Sequence, residues 1–208
     1  MSDLKLIYFD MHGGRGEPVR LALAMAGVPF EDDRFGFEQW PERKGDMPFG
    51  AVPVLEVDGK TLAQSNAITR YVGKITGLYP SDFWQAALCD EAMDAAEDLT
   101  NLVGATLFIP EEEKKARREE LVAGAIPFYL TGLEKRLKES GGRYFADDRL
   151  TVADLKVAVL VRLFMSGLFD HIPPDIAKTV APALAEHHDR VVGDPAIKAY
   201  YAKQGVEV

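Results

Sequence analysis

The chain has 208 residues, 47% of them hydrophobic and 27% charged, with a net charge of −9. That composition fits one large or two small globular domains and excludes a disordered chain, and the negative balance argues against nucleic acid as a partner. A single cysteine, Cys89, rules out an intrachain disulfide and fits a reducing compartment, and the chain has neither an apolar run long enough to span a bilayer nor a secretory signal at its start, so a cytoplasmic protein without membrane contact is expected.

Residues 1–79 alternate short apolar strands with helices. Lys5 to Phe9 reads as a strand. Glu17 to Ala26 reads as a helix, with Pro18 tolerated in its first turn and Gly27 as its stop. Phe30 to Phe35 is extended, and a loop containing Trp40 and Pro41 follows. Pro53 then opens a short apolar strand, Asp58-Gly59 supplies a tight hairpin turn, and Lys60 to Ala63 returns. A helix begins beside Gln64 and runs to Gly77, with Ser65 as its expected N-cap. This βαβ-ββα order predicts a small mixed sheet with helices on its faces.

The junction at Gln64-Ser65 carries the first chemical signal. A helix N-terminus offers unpaired N–H groups and partial positive charge, which suits a carboxylate. Gln64 and Ser65 add hydrogen-bonding side chains at the same point. Taken alone, the stretch is equally an ordinary hairpin followed by an ordinary capped helix.

Residues 80–84 read as a linker, and from 85 to 208 the pattern is helical throughout. Leu88, Ala92, Ala95, Ala96, Leu99, Leu102 and Val103 form an apolar stripe, with Asp90, Asp94, Glu97, Asp98 and Asn101 on the opposite face. Pro127 is expected to kink or split a long helix. Thr151 and Asp154 have capping-box spacing, with Leu150 and Leu155 placed as a hydrophobic staple, and the apolar run from Leu155 to Phe169 predicts a central buried helix.

Together these pieces resemble the cytosolic glutathione transferases, most closely their sigma-class branch. The resemblance is carried by Tyr8-Phe9, Gly14-Arg15-Gly16-Glu17-Pro18-Val19-Arg20, Phe37-Glu38-Gln39-Trp40-Pro41, Pro48-Phe49-Gly50, Val52-Pro53-Val54-Leu55, Gln64-Ser65-Asn66-Ala67-Ile68 and the Thr151 to Asp154 box. It spans essentially the whole chain. It implies an α+β, thioredoxin-like domain over 1–79 that binds glutathione, an all-α domain over 85–208, a homodimer, and glutathione as co-substrate without a bound cofactor.

The chemistry of the tripeptide gives the implied residues their roles. A free thiol has a pKa of about 8.5, so an enzyme that uses the thiolate near neutrality must lower it, and two units correspond to roughly 2.7 kcal/mol. A phenol can donate to the sulfur anion while staying neutral, which fits Tyr8, and Arg15 adds positive charge beside it. Gln64 and Ser65 match the γ-glutamyl carboxylate. Val52, before a proline that is cis in the family (Pro53), offers main chain to the extended peptide. Trp40 and Lys44 match the family's glycyl-carboxylate contacts, and Asp98 matches an aspartate reaching the α-amino group of glutathione bound to the partner subunit. Asp94 and Glu97 match positions where some relatives hold a divalent cation, and Phe9, Met11, Val103, Leu107 and Phe108 are the expected apolar contacts of the electrophile.

The chain departs from the sigma pattern at three places. The loop from Tyr8 to Arg15 is one residue longer. The segment from Val103 to Phe108 has no tryptophan where prostaglandin D synthases of this branch carry one, and Lys156 stands where they have an aromatic residue. The readings are conjugation of hydrophobic electrophiles, a glutathione-dependent isomerase or peroxidase on the same site, or a non-catalytic ligand-binding or crystallin-like protein. A disulfide oxidoreductase is excluded, because residues 1–79 contain no cysteine.

Overall fold

The structure is a computed structural model that describes residues 2–206. It comprises two compact units, one containing the chain up to Tyr79 together with the segment from Asp194, the other Pro80–Gly193.

The first unit is built on a four-stranded sheet of order β2-β1-β3-β4, with β1 at Leu4–Phe9, β2 at Glu31–Phe35, β3 at Val54–Val57 and β4 at Lys60–Ala63. Strand β1 pairs parallel to β2 and antiparallel to β3, which pairs antiparallel to β4. Alternation along β1 divides its side chains between the two faces of the sheet. Ile7 packs with Phe35 and Val54 in a buried cluster that Phe9, Trp40, Met47, Val52 and Ala63 extend. Strand β2 is a polar edge whose charges are matched: Lys5 bridges to Glu31 at 3.4 Å, and Arg43 to Asp33 at 2.9 Å. At the hairpin, Asp58 and Gly59 both have positive φ, as a two-residue turn between twisted strands requires.

Helix α1 (Glu17–Met25) follows a 3-10 turn over Gly14–Gly16, the short helix α2 covers Trp40–Arg43, and α3 covers Ser65–Ile75. Helices α1 and α3 pack together. The expected N-cap is displaced by one residue: Gln64 occupies the cap position and Ser65 is the first helical residue.

The second unit is helical, with α4 (Phe83–Gly104), α5 (Glu111–Ala123), α6 (Ala125–Glu139), α7 (Val152–Met165), α8 (Ile176–Val180) and α9 (Pro182–Val192). Helix α7 lies against α4 and α9 and is buried along nearly its whole length. Its capping box forms as the spacing predicts, Asp154 Oδ2 accepting from the Thr151 N–H at 2.7 Å. Asp154 does more than the box requires. Its Oδ1 accepts from the Phe145 N–H at 3.0 Å and lies 2.9 Å from Nε2 of the fully buried His187. The expected break at Pro127 falls earlier, at Gly124, whose backbone leaves the helical region between α5 and α6. Pro127 then lies in the first turn of α6, where a missing N–H removes no helical bond.

The last helix, α10 (Pro195–Lys203), packs against α1 and belongs to the first unit. Among the described residues, no helix is long and apolar enough to cross a membrane.

Candidate active site

The C-terminal end of β1 delivers Tyr8 into a loop that closes back on it. Tyr8 is 5% exposed, and its hydroxyl oxygen accepts a hydrogen bond from the backbone N–H of Arg15 at 2.9 Å. Two glycines make this closure possible. A Cβ on Gly14 would fall 2.5 Å from the Tyr8 hydroxyl, and one on Gly16 would fall 2.5 Å from Cδ1 of its ring. Gly14 also has a φ of 65°, a conformation that side-chain-bearing residues seldom adopt. Arg15 thus meets the Tyr8 oxygen through its main chain.

Behind this loop lies an ionic network that the sequence pattern does not reveal. Arg20, on α1 and fully buried, donates to the carbonyls of Met11 at 2.9 Å and Phe9 at 3.2 Å, to Asp32 at 3.0 Å and to Glu17 at 3.3 Å. Its guanidinium carbon lies 5.6 Å from the centroid of the Tyr8 ring. Asp32 also accepts from Nε of Arg34 at 2.7 Å, and Arg34 reaches Asp10 at 3.3 Å and the Tyr200 hydroxyl on α10 at 3.1 Å. Burial pushes the Glu17 carboxyl up, against the pull of Arg20 and Arg34. Asp32 is the more solvated of Arg20's two carboxylate partners. The hydroxyl of Tyr200, buried beside Glu17, is also pushed above its ordinary range.

The remaining expected residues of the first unit are distributed along the same sheet edge and its loops. The Val52–Pro53 peptide is cis, Pro53 is buried, and Val52 is half-buried. Gln64 is exposed and has a φ of 73°, an uncommon conformation for glutamine and of a kind that concentrates at functional sites. Ser65, 8% exposed, begins α3, whose first-turn amides carry the partial positive charge of a helix N-terminus. Lys44 is exposed, its stem passing over Gly50, where a Cβ would fall 3.3 Å from Lys44 Cε. Trp40 is half-buried, its ring edge-on to Phe9 at 5.6 Å and stacked on Phe35 at 6.1 Å. Phe9 itself stacks on Phe37 at 4.4 Å, so its ring belongs to an aromatic cluster, and Met11 is half-buried in the loop after it.

In the second unit, Val103 is buried in the helical core, while Leu107 and Phe108 are exposed at 47% and 89%. Asp94 and Asp98 are exposed on α4. The Glu97 carboxylate is bound to the ammonium of Lys156, a buried lysine on α7, so a countercharge for it is supplied within the helical unit. Among the described residues no group of three or more histidine, cysteine or acidic side chains is arranged to hold a metal. The thiol of Cys89 is fully buried and pushed up to about 12 by desolvation, which makes it a poor nucleophile.

The chain is similar to known proteins over nearly its whole length. Residues 4–74 match the family model of the glutathione S-transferase N-terminal domain, and residues 97–204 that of the C-terminal domain. A glutathione S-transferase of Anopheles gambiae is 33% identical over 99% of this chain and 98% of its own. The structure of prostaglandin synthase D of Nilaparvata lugens is similar with a TM-score of 0.86 at 36% identity, covering 99% of this chain and 100% of that one. A sigma class transferase of Fasciola hepatica is similar with a TM-score of 0.84 at 30% identity, covering 100% and 98%.

Proposed function

The chain belongs to the glutathione S-transferase family, and on that premise we propose that it conjugates glutathione to hydrophobic electrophiles, with the Tyr8 hydroxyl stabilising the glutathione thiolate. The observation that carries the role of Tyr8 is the hydrogen bond its oxygen accepts from the Arg15 amide. A phenol oxygen that accepts a hydrogen bond is a stronger donor through its own O–H, because linked hydrogen bonds polarise one another.

In the proposed reaction the thiol proton passes from glutathione to solvent water, and the sulfur carries a negative charge that Tyr8 stabilises. The sulfur lone pair then forms a carbon–sulfur bond, and the bond to the leaving group breaks with its electron pair departing on that group. Only stabilisation stronger in the thiolate than in the thiol accelerates this step. Gln64, Ser65 and the first turn of α3 hold the γ-glutamyl carboxylate, Val52 beside Pro53 offers main chain to the peptide, and Trp40 and Lys44 meet the glycyl carboxylate. The electrophile contacts are assigned to Phe9, Met11, Val103, Leu107 and Phe108. A sigma-class assignment, a homodimer in which Asp98 reaches the partner's glutathione, and a cytoplasmic location complete the reading.

A glutathione-dependent isomerase is the second reading, favoured by the similarity to a prostaglandin synthase. Against it stand Lys156, engaged with Glu97, and the absence of tryptophan from Val103 to Phe108. Retention on immobilised glutathione, followed by turnover of an activated aryl halide and of a prostaglandin endoperoxide, separates the readings. Conjugation without isomerisation is expected. Isomerisation alone would favour the second reading, and failure to bind glutathione would remove both.

A further inference from the structure

We propose that Arg20 is a positioning residue for catalysis, holding the loop after Tyr8 so that the Arg15 amide and the Tyr8 hydroxyl keep their alignment. The proposal rests on the reading of Tyr8 as the thiolate's hydrogen-bond donor.

Four contacts converge on one buried side chain. Arg20 holds the carbonyls on both sides of Asp10, those of Phe9 and Met11, and is itself anchored to Asp32 on the neighbouring strand and to Glu17 on its own helix. The planar guanidinium carries five donors in a fixed fork, so it can satisfy carbonyls and carboxylates lying in different directions at once. The two carbonyls belong to the first residue after Tyr8 and to the residue three beyond it. Fixing both fixes the direction in which the chain leaves Tyr8 and begins its return to Arg15. The guanidinium also lies 5.6 Å from the Tyr8 ring centroid, so it restrains the ring as well as the backbone around it.

The network does not end at Arg20. Asp32 ties Arg20 to Arg34, and Arg34 holds the Asp10 carboxylate, so the same short loop is gripped from β2 as well as from α1. Through Tyr200 the grip extends to α10. Lysine at this position keeps the charge but has three donors and no fork, so it cannot reproduce the four contacts.

The test is a double-mutant cycle on steady-state conjugation, with the full chain and glutathione, comparing parent, Tyr8→Phe, Arg20→Lys and the combination, at a temperature where circular dichroism shows all four folded. Arg20→Lys is expected to lower kcat by about tenfold to a hundredfold, the loss that a displacement near 1 Å produces. KM for glutathione stays at the parental value, and the pH–rate profile moves to higher pH. In the Tyr8→Phe background the same change is expected to cost less than about twofold, because Arg20 acts through Tyr8. A full loss in that background, or parental kinetics of Arg20→Lys, overturns the proposal. Should Arg20→Lys fail to fold, Asp32→Asn takes its place in the cycle, since it removes the negative charge shared by Arg20 and Arg34 and one of the two acceptor oxygens while keeping the side chain's shape, and the same two outcomes decide. Parental kinetics of Tyr8→Phe alone would instead remove the reading of Tyr8, and this proposal with it.

Discussion

The backbone N–H of Arg15 donates to the phenol oxygen of Tyr8 at 2.9 Å, across a loop kept short by Gly14 and Gly16. The contact gives Arg15 a main-chain role beside the charge that the sequence assigns to it. A guanidinium near a thiolate acts through charge, but a main-chain amide acts through geometry, and it survives substitution of the side chain. The 3-10 turn over Gly14–Gly16 carries this amide.

Gly16→Ala tests the closeness of that loop. A Cβ there would lie 2.5 Å from the Tyr8 ring, so ring or loop must move. Overpacking of this kind costs about 1–3 kcal/mol of stability, and the displaced hydroxyl is expected to lower kcat as well. Urea unfolding and steady-state kinetics report the two effects. Parental values in both would show that the loop yields without moving Tyr8.

Gln64→Ala and Ser65→Ala test the carboxylate site. Each is expected to weaken glutathione binding by about 1–2 kcal/mol, a tenfold-scale rise in Kd, because a charged group loses a hydrogen-bond partner. Isothermal titration calorimetry measures it. Parental affinity in both variants would move the γ-glutamyl site elsewhere.

What the sequence discloses, and what it hides, divides by range along the chain. The capping box of Thr151 and Asp154 and the turn at Asp58-Gly59 are legible because the interacting groups are neighbours whose spacing is the signal. The pairing of Asp154 with His187 spans 33 positions and leaves no pattern. Arg20 reads as an ordinary helical cation, since its partners Phe9, Met11 and Asp32 are assembled only by the β1-α1-β2 crossover. Likewise Lys156 interrupts an apolar run, and only the packing of α7 on α4 shows Glu97 to be its reason. Helix α10 looks continuous with the helical half of the chain, yet it packs on α1. Of the apolar stripe expected on α4, Ala92, Ala96, Leu99 and Val103 are buried, Leu88, Ala95 and Leu102 are half-buried, and Cys89 and Met93 join the buried face.

Asp98→Ala tests the proposed contact across the dimer. Asp98 is exposed on α4, where it is available to a second subunit. The substitution is expected to weaken glutathione binding by about tenfold, on the scale of one lost charge-assisted hydrogen bond, and to leave the dimer intact. Light scattering with a parallel glutathione titration checks both. A monomeric parent, or an unchanged affinity, would remove the contact.

His188 supplies a pH dependence of stability. Burial lowers its pKa from 6.5, reinforced by Arg162 and His187 and opposed by Asp189, its 3.0 Å partner. Just below pH 6.5 the unfolded chain therefore binds more protons than the folded one, and stability contributed by this residue falls as pH falls through that window. His188→Gln is expected to lose less stability than the parent on acidification from about pH 7 to about pH 5, as followed by urea unfolding. An equal loss in both would assign the acid sensitivity to other groups.

The most direct test of the central claim is the ionisation of glutathione bound to the protein, followed by the ultraviolet absorption of its thiolate as pH is varied. In the parent the thiol is expected to titrate well below its ordinary value of about 8.5. In Tyr8→Phe it is expected to shift back upward by about one to two units, equivalent to roughly 1.4–2.7 kcal/mol, with kcat falling in step and glutathione affinity little changed. Identical titration curves for parent and Tyr8→Phe would contradict the assignment of the thiolate's hydrogen bond to Tyr8.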